Sequence, residues 1–324
     1  MMAASIFLAY RLIRPPIPLA LWCVISCGLA YISLISSSAF YHNQLQITVT
    51  FLIILSLERY ASGALVTAGI ALGIAAAIKV TPAALGIIFL LDRNYRPAVV
   101  TAITGLSLLA LSYLIAGPAL HAEFLGHIKT ISEQVVVMRV NWNLETYLLQ
   151  LSAMLTGTPL LSLEGIPPEQ LIDAMDHTQP EPFWITITTK ILFLAGIALV
   201  LFRTHNLSPL NAMRLRPFGL ILVMTLCAPL GWSHHYLPVL ILLPAILTFM
   251  PPVRAIALLV IFGGLTSLGI FAFLRIEGSQ IHYQALLNIS LLLVTFAIFF
   301  TRPVKFIDQT QKPKLKKPVY KPIT

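Results

Sequence analysis

Charge is what this sequence lacks. Lys, Arg, Asp and Glu together make up 10% of its 324 residues, while hydrophobic residues make up 58%. That balance excludes a pair of soluble domains and reads as one polytopic membrane domain. Acidic residues are the scarcest, 12 against 21 Lys and Arg, for a formal net charge of +9. The three cysteines, Cys23, Cys27 and Cys227, all fall in apolar runs. Their pattern suits neither a disulfide scaffold nor a metal site, so they read as packing residues. Also absent are a P-loop, a G-x-G-x-x-G turn, a nucleophile elbow and an H-E-x-x-H pair. These absences argue against ATP-driven, dinucleotide, serine-hydrolase and zinc-peptidase chemistry. The first ten residues are apolar, without the basic start and small-residue cleavage site of a signal peptide.

What the sequence does have is apolar runs near the length of a membrane span, about 17–25 residues. They cover 17–40, 45–57, 98–116, 184–202, 217–232, 236–250, 255–274 and 285–300. The 45–57 run is expected to begin earlier, with Asn43 and Gln44 in its first turn. The expected fold is all-α, a transmembrane helical bundle over 1–301, followed by a basic, disordered cytoplasmic tail over 302–324.

Within the apolar stretch 64–91 stands a single charge, Lys79, followed three residues later by Pro82. A lysine in a membrane segment costs about 2.5–3.5 kcal/mol on insertion scales and so points to function. The competing reading, a lysine that snorkels to an interface or caps a helix, carries similar weight. Proline breaks a helix and disfavours helix at the residue before it. The segment is therefore expected to form two short helices meeting near Lys79–Pro82, a break tolerated only where it is buried or lines a cavity.

Basic residues set orientation. If 64–91 leaves and returns on one side, then Arg11, Arg14, Arg59, Arg93, Arg96, Arg203, Arg214, Arg216, Arg254 and the tail lysines share the cytoplasmic side. Positive charge so placed suits anionic lipid headgroups rather than nucleic acid. The 117–183 stretch is then an outer loop. Phe124, Ile128, Ile131 and Val135 recur at helical spacing and predict a surface helix over 121–137. Further short helices are expected over 144–155 and 167–175.

Polar clusters interrupt the apolar runs at the expected outer mouth: His42-Asn43-Gln44, Arg139 to Glu145, and Ser233-His234-His235-Tyr236. Each has a bland reading. Asn43 and Gln44 suit a helix cap, the tryptophans suit an interfacial belt, Arg139 suits a lipid headgroup, and His234 and His235 suit a satisfied polar end. Adjacent histidines cannot share one helix face, so no metal site is expected.

In order and spacing these clusters resemble glycosyltransferase family 87. The matching stretches are HNQLQITVTFLIILSLERY (42–60), AGIALGIAAAIKVTPAAL (68–85), VNWNLETYLLQL (140–151) and APLGWSHHYLPVLILLPAIL (228–247). The resemblance extends over about residues 17–300. It implies a C-type glycosyltransferase fold and a multi-pass enzyme of a bacterial plasma membrane with its site facing outward. It also implies transfer of a hexose, mannose above all, from a polyprenyl-phosphate sugar to a lipid or glycan acceptor. No cofactor beyond that lipid-linked donor is implied.

Such a transfer needs cations for the departing phosphate and a base for the acceptor hydroxyl. The cations would be Lys79, Arg139 and His234 or His235; Asn43, Gln44, Asn141 and Asn143 would orient hydroxyls. The family's acidic base lies in a first outer loop. Only ten residues precede Arg11, so that helix and loop are expected to be missing here, through truncation, a mis-called start or degeneracy. Glu145 and Glu123 are the fallback bases. Two other readings remain open: a transporter or flippase of a lipid-linked anion, using the same lysine and broken segment, and a non-catalytic scaffold.

Overall fold

A computed structural model describes residues 1–160, 177–274, 276, 279–301 and 306–307. Its helices are α1 (Met2–Ile13), α2 (Leu19–Ile32), α3 (Leu34–Tyr41), α4 (Gln46–Ala61), α5 (Leu65–Ile78), α6 (Ile87–Leu91), α7 (Tyr95–Ser132), α8 (Leu144–Thr156), α9 (Phe183–Thr204), α10 (Pro209–Leu226), α11 (Leu237–Leu242), α12 (Pro252–Leu265), α13 (Leu268–Phe273) and α14 (Tyr283–Phe300). Short 3₁₀ helices, Thr81–Gly86, Ser233–Tyr236 and Leu243–Thr248, join some of them. The described residues are all-α apart from one antiparallel pair, β1 (Gln134–Val137) and β2 (His177–Pro180), with Gln134 opposite Pro180. Among the described residues, α7, α9 and α14 are long and apolar enough to cross a membrane. Only 6% of the apolar stretch of α7 is buried inside the protein, so nearly all of it is left for lipid.

The segment around Lys79 folds as its proline dictates. Helix α5 ends at Ile78, and Lys79 takes an extended conformation, φ −149° and ψ 124°. A 3₁₀ turn opening with Pro82 in its first positions and then α6 carry the chain back. Tyr60 donates a 2.9 Å hydrogen bond to Asp92, closing the loop at its base. Helices α5 and α7 run parallel: Gly69 meets Pro97 and Val100, and Gly73 meets Thr101 and Thr104. A Cβ on Gly73 would come within 2.6 Å of Thr104 Cβ, so only glycine permits this approach. Where lipid removes the hydrophobic driving force, such small-residue seams hold helices together. Parallel packing means that the chain leaves and returns on one side between Arg59 and Arg96.

That side is knitted by arginines. Arg214 donates to the carbonyls of Ile13 (2.6 Å) and Arg14 (2.9 Å), groups that the end of α1 leaves unbonded. Arg216 pairs with Asp92 at 2.9 Å and with Thr204 Oγ1 at 3.1 Å. Arg11 pairs with the buried Glu58 at 3.0 Å. Arg214 and Arg216 therefore lie inside a helix that starts at Pro209, eight residues before the expected start, with Ser208 capping it through Asn211 N.

Several other expectations need correction. The 17–40 run is two helices broken at Ser33, and the 255–274 run is two helices broken at Ser267. The breaks face each other: Ser33 and Ser267 form a bridge, and Leu34 N donates to Thr266 O at 2.7 Å. Helix α4 begins at Gln46, because Asn43 adopts a left-handed φ of 48° that no helix continues through. The expected surface helix ends at Ser132, where β1 takes over; it joins α7 across Gly117, whose φ of 79° makes a kink. In the tail, Ile307 N donates to Thr248 O at 2.8 Å and the Phe306 ring lies 5.7 Å from the Arg214 guanidinium, so disorder from residue 302 onward does not hold for these two. The remaining tail and the expected 167–175 helix lie outside the described residues.

Candidate active site

At the end of α5 the Lys79 ammonium donates a 3.0 Å hydrogen bond to Gln46 Oε1 on the first turn of α4. Ser56 Oγ to Ala68 O, at 2.8 Å, locks the same two helices further down. Gln46 is buried, and one helix length, about 18 Å at 1.5 Å per residue, separates it from the Glu58 end. His234 and His235 lie close enough to Lys79 to feel its charge, and His42 acts on His234. The two imidazoles sit at right angles with centroids 4.7 Å apart. His235 Nδ1 is 3.1 Å from Leu230 O, which fixes that ring, while no hydrogen bond among the described residues fixes the His234 ring. Between them and the chain, the Ser233 hydroxyl is fully buried and unpartnered. Stretches separated by about 190 residues thus come together around one ammonium, Lys79, with neutral hydrogen-bonding groups about it.

The histidine loop is held by the 140–143 segment. Ser233 N donates to Val140 O at 2.8 Å and Trp142 N to Gly231 O at 2.8 Å. The Tyr236 hydroxyl donates to Trp142 O. A Cβ on Gly231 would fall 3.0 Å from that of Asn143 and 3.1 Å from the Trp142 carbonyl carbon, so a side chain there would crowd the crossing.

Asn141 and Asn143 do not present their amides to this cluster. Asn141 donates to Val136 O (2.7 Å) and Thr146 Oγ1 (3.2 Å) and accepts from Gly231 N (2.8 Å). Asn143 donates to Ala228 O (3.0 Å) and Pro229 O (2.7 Å) and caps α8 by accepting from Thr146 N (2.9 Å). Every amide atom is engaged and both side chains are completely buried. In this structure they fasten the two loops.

Among the described residues, no hydrogen bond or ion pair joins the side chains of the other expected residues to Lys79. Asn43 and Gln44 are exposed in the turn before α4, and neither side chain bonds to Lys79. Gln46, two residues further on, does so instead. Arg139 is half-buried two residues before Asn141, with no hydrogen bond or ion pair to its guanidinium among the described residues; its carbonyl accepts from Trp142 Nε1. Glu123 is exposed, 3.7 Å from His127. Glu145, in the first turn of α8, is buried. Its carboxyl is pushed up to about 7, first by burial and then by Glu181, with Lys190 acting in the opposite sense. A carboxyl so placed changes protonation near neutrality, as a general base must.

The fold and this cluster define an integral membrane protein with a polar site at a broken helix. The family profile of glycosyltransferase family 87 matches residues 1–229, and the chain belongs to that family. No curated protein and no solved structure matches the chain. The matched residues include the Lys79 segment and the 140–151 stretch and stop five residues short of His234.

Proposed function

We propose that this glycosyltransferase moves a hexose, mannose first, from a polyprenyl-phosphate sugar to a hydroxyl of a lipid or glycan acceptor on the outer face of the membrane. The observation that carries the reading is the 3.0 Å bond from Lys79 to Gln46 at the break between α5 and its 3₁₀ turn, with His234 and His235 within reach of the lysine's charge. A prenyl-linked phosphate arrives from the lipid side and presents its charge at such a break, where an ammonium has one protein partner and donors to spare. The arginine-knitted end lies opposite and takes the cytoplasmic side.

In the reaction, the acceptor oxygen attacks the anomeric carbon and the bond from that carbon to the phosphate oxygen breaks. The phosphate leaves with its electron pair; the Lys79 ammonium neutralises it and one neutral histidine donates a hydrogen bond to it. Glu145 accepts the proton of the acceptor hydroxyl. Arg139 holds an outer oxygen of the donor phosphate. Asn141 and Asn143 act at one remove, by fixing the histidine loop.

The flippase reading draws on the same lysine and break, but the family to which the chain belongs favours group transfer. The deciding experiment supplies radiolabelled polyprenyl-phosphate mannose and a lipid extract to the purified chain in vesicles. Label moving into a new lipid or glycan product supports transfer. Label crossing the bilayer on intact donor would establish transport instead.

A further inference from the structure

Helices α8 and α14 enclose a run of amides that nothing among the described residues satisfies. Two contacts align the helices. Gln150 Oε1 accepts from His282 N at 2.6 Å, and the Tyr147 and Ser290 hydroxyls are 3.2 Å apart. Between those fixed points on α14 stand Gln284 and Asn288, one helical turn apart and so on one face. They are 2% and 0% exposed, and neither the nitrogen nor the oxygen of either amide has a partner. Gln150 is also fully buried, and its Nε2 has no partner. Five amide atoms are thus withdrawn from water without compensation. Proteins keep few such groups, and each calls for an explanation. In a membrane protein the cost of leaving them unpaired is higher still.

Their chemistry narrows the explanation. Each amide can donate and accept at once, which is how side chains read neighbouring hydroxyls. Being neutral, they would not compete with Lys79 for a phosphate. The run also connects to the Lys79 site. Asn143, just before α8, is tied to Ala228 and Pro229 in the loop that carries His234, and Gln150 lies about 10 Å further along the helix. Glu145 stands between them on α8.

We propose that Gln150, Gln284 and Asn288 form a second subsite, which takes the hydroxyl-rich headgroup of the acceptor. The proposal deepens the transferase reading and rests on it. The amides are sealed here, so α8 and α14 part slightly to admit the headgroup, and the unpaired amides favour that opening. A site built to hydrogen-bond hydroxyls rejects analogues that lack them, because its own polar groups would stay unpaired.

The test uses the full chain in phosphatidylcholine nanodiscs, with no donor present. The probes are octyl mannoside and octyl glucoside, with octanol as the control lacking a polyol. Expected for the wild type is a saturable rise in Tm with at least one glycoside and none with octanol. Expected for Gln284→Met with Asn288→Leu is a ligand-free Tm higher by about 2 °C or more, since unpaired amides are gone, and glycoside affinity at least about tenfold weaker. The single Asn288→Leu change should move both readouts the same way by a smaller amount. A lower ligand-free Tm, or a double variant that does not fold, would mean that the amides have structural partners and would overturn the subsite. Unchanged glycoside binding in the variants would overturn it too, as would no glycoside binding by the wild type. Because no donor is used, failure here is separate from failure of transfer, which the labelled-donor assay reads.

Discussion

Lys79 Nζ meets Gln46 Oε1 at 3.0 Å across the point where α5 stops. The bond joins the one charge of a long apolar run to the first buried polar group of the neighbouring helix. It leaves two of the three ammonium hydrogens free of protein partners among the described residues, which is the state expected of a group that awaits an anion. Lys79→Met should reduce transfer by about 10²–10³-fold, the usual cost of removing one preorganised charge-stabilising donor. Expression and Tm should hold, since Lys79 is only half-buried and its one bond is to a neutral amide, worth about 1 kcal/mol. Gln46→Leu should cost less, about tenfold, because the ammonium remains. Single-turnover assays with labelled donor measure both, and normal turnover by Lys79→Met would return the lysine to a structural role.

Asn143 connects two parts of the site without touching it. Its oxygen caps α8, and its nitrogen holds Ala228 and Pro229. Asn143→Ala should cost about 2–3 kcal/mol, roughly one for the cap and the rest for the stranded carbonyls. Asn143→Ser should recover the cap alone and so fall midway. Thermal unfolding in detergent reads the difference. An unchanged Tm with a raised KM for donor would mean that the amide faces a sugar after all.

These two residues also mark how far the sequence could be read. The break at Lys79 was legible because a proline three residues on in an apolar run ends the helix there. The parallel return of α5 to α7 was legible from the flanking arginines. The roles of Asn141 and Asn143 were not: an amide that recognises sugar and an amide that pins a loop look alike in sequence, and only their bonding partners separate them. Gln46 was missed because it sits two residues beyond the His42-Asn43-Gln44 cluster. The signal was its place as the first polar residue on the α4 face shared with Val49, Thr50 and Ile53. The breaks at Ser33 and Ser267 were hidden because serine interrupts a helix only when its hydroxyl and backbone find outside partners, here each other's strand-like turns. Gln284 and Asn288 stood in plain view in an apolar span, but nothing in the one-dimensional pattern said that they were buried rather than lipid-edge.

The arrangement of ends makes a topological prediction. Tyr95 lies at the arginine-knitted end, beside Asp92 and Arg96; Thr178 lies in β2, whose partner β1 bonds through Val136 O to Asn141 at the site end. With Cys23, Cys27 and Cys227 replaced by serine, Tyr95→Cys should react with an impermeant maleimide only after the membrane is opened. Thr178→Cys should react in intact cells. Both positions are exposed, so lack of labelling would not reflect burial. Labelling of both from one side would overturn the placement of the site on the outer face.

The sharpest prediction concerns pH, because one carboxyl should govern two properties in opposite senses. Glu145 has a pKa raised from 4.5 to about 7, by burial first and Glu181 second. The folded state therefore holds its proton more tightly than the unfolded state. Its contribution to stability is complete below about pH 4.5 and falls as pH rises towards 7, by about 1.4 kcal/mol for each pH unit crossed between those two values. As a base, the same group becomes competent only as that proton leaves, so transfer should rise through the same window and level off above about pH 7. Glu145→Gln should flatten both profiles, raise Tm at pH 8, and slow transfer by about 10²–10⁴-fold. Glu181→Gln should move both midpoints to lower pH, because it removes a like charge, and Lys190→Met should move them to higher pH. If the rate profile stayed fixed in Glu181→Gln while the stability profile moved, Glu145 would be a buried structural acid and the base would have to be sought elsewhere on the outer face.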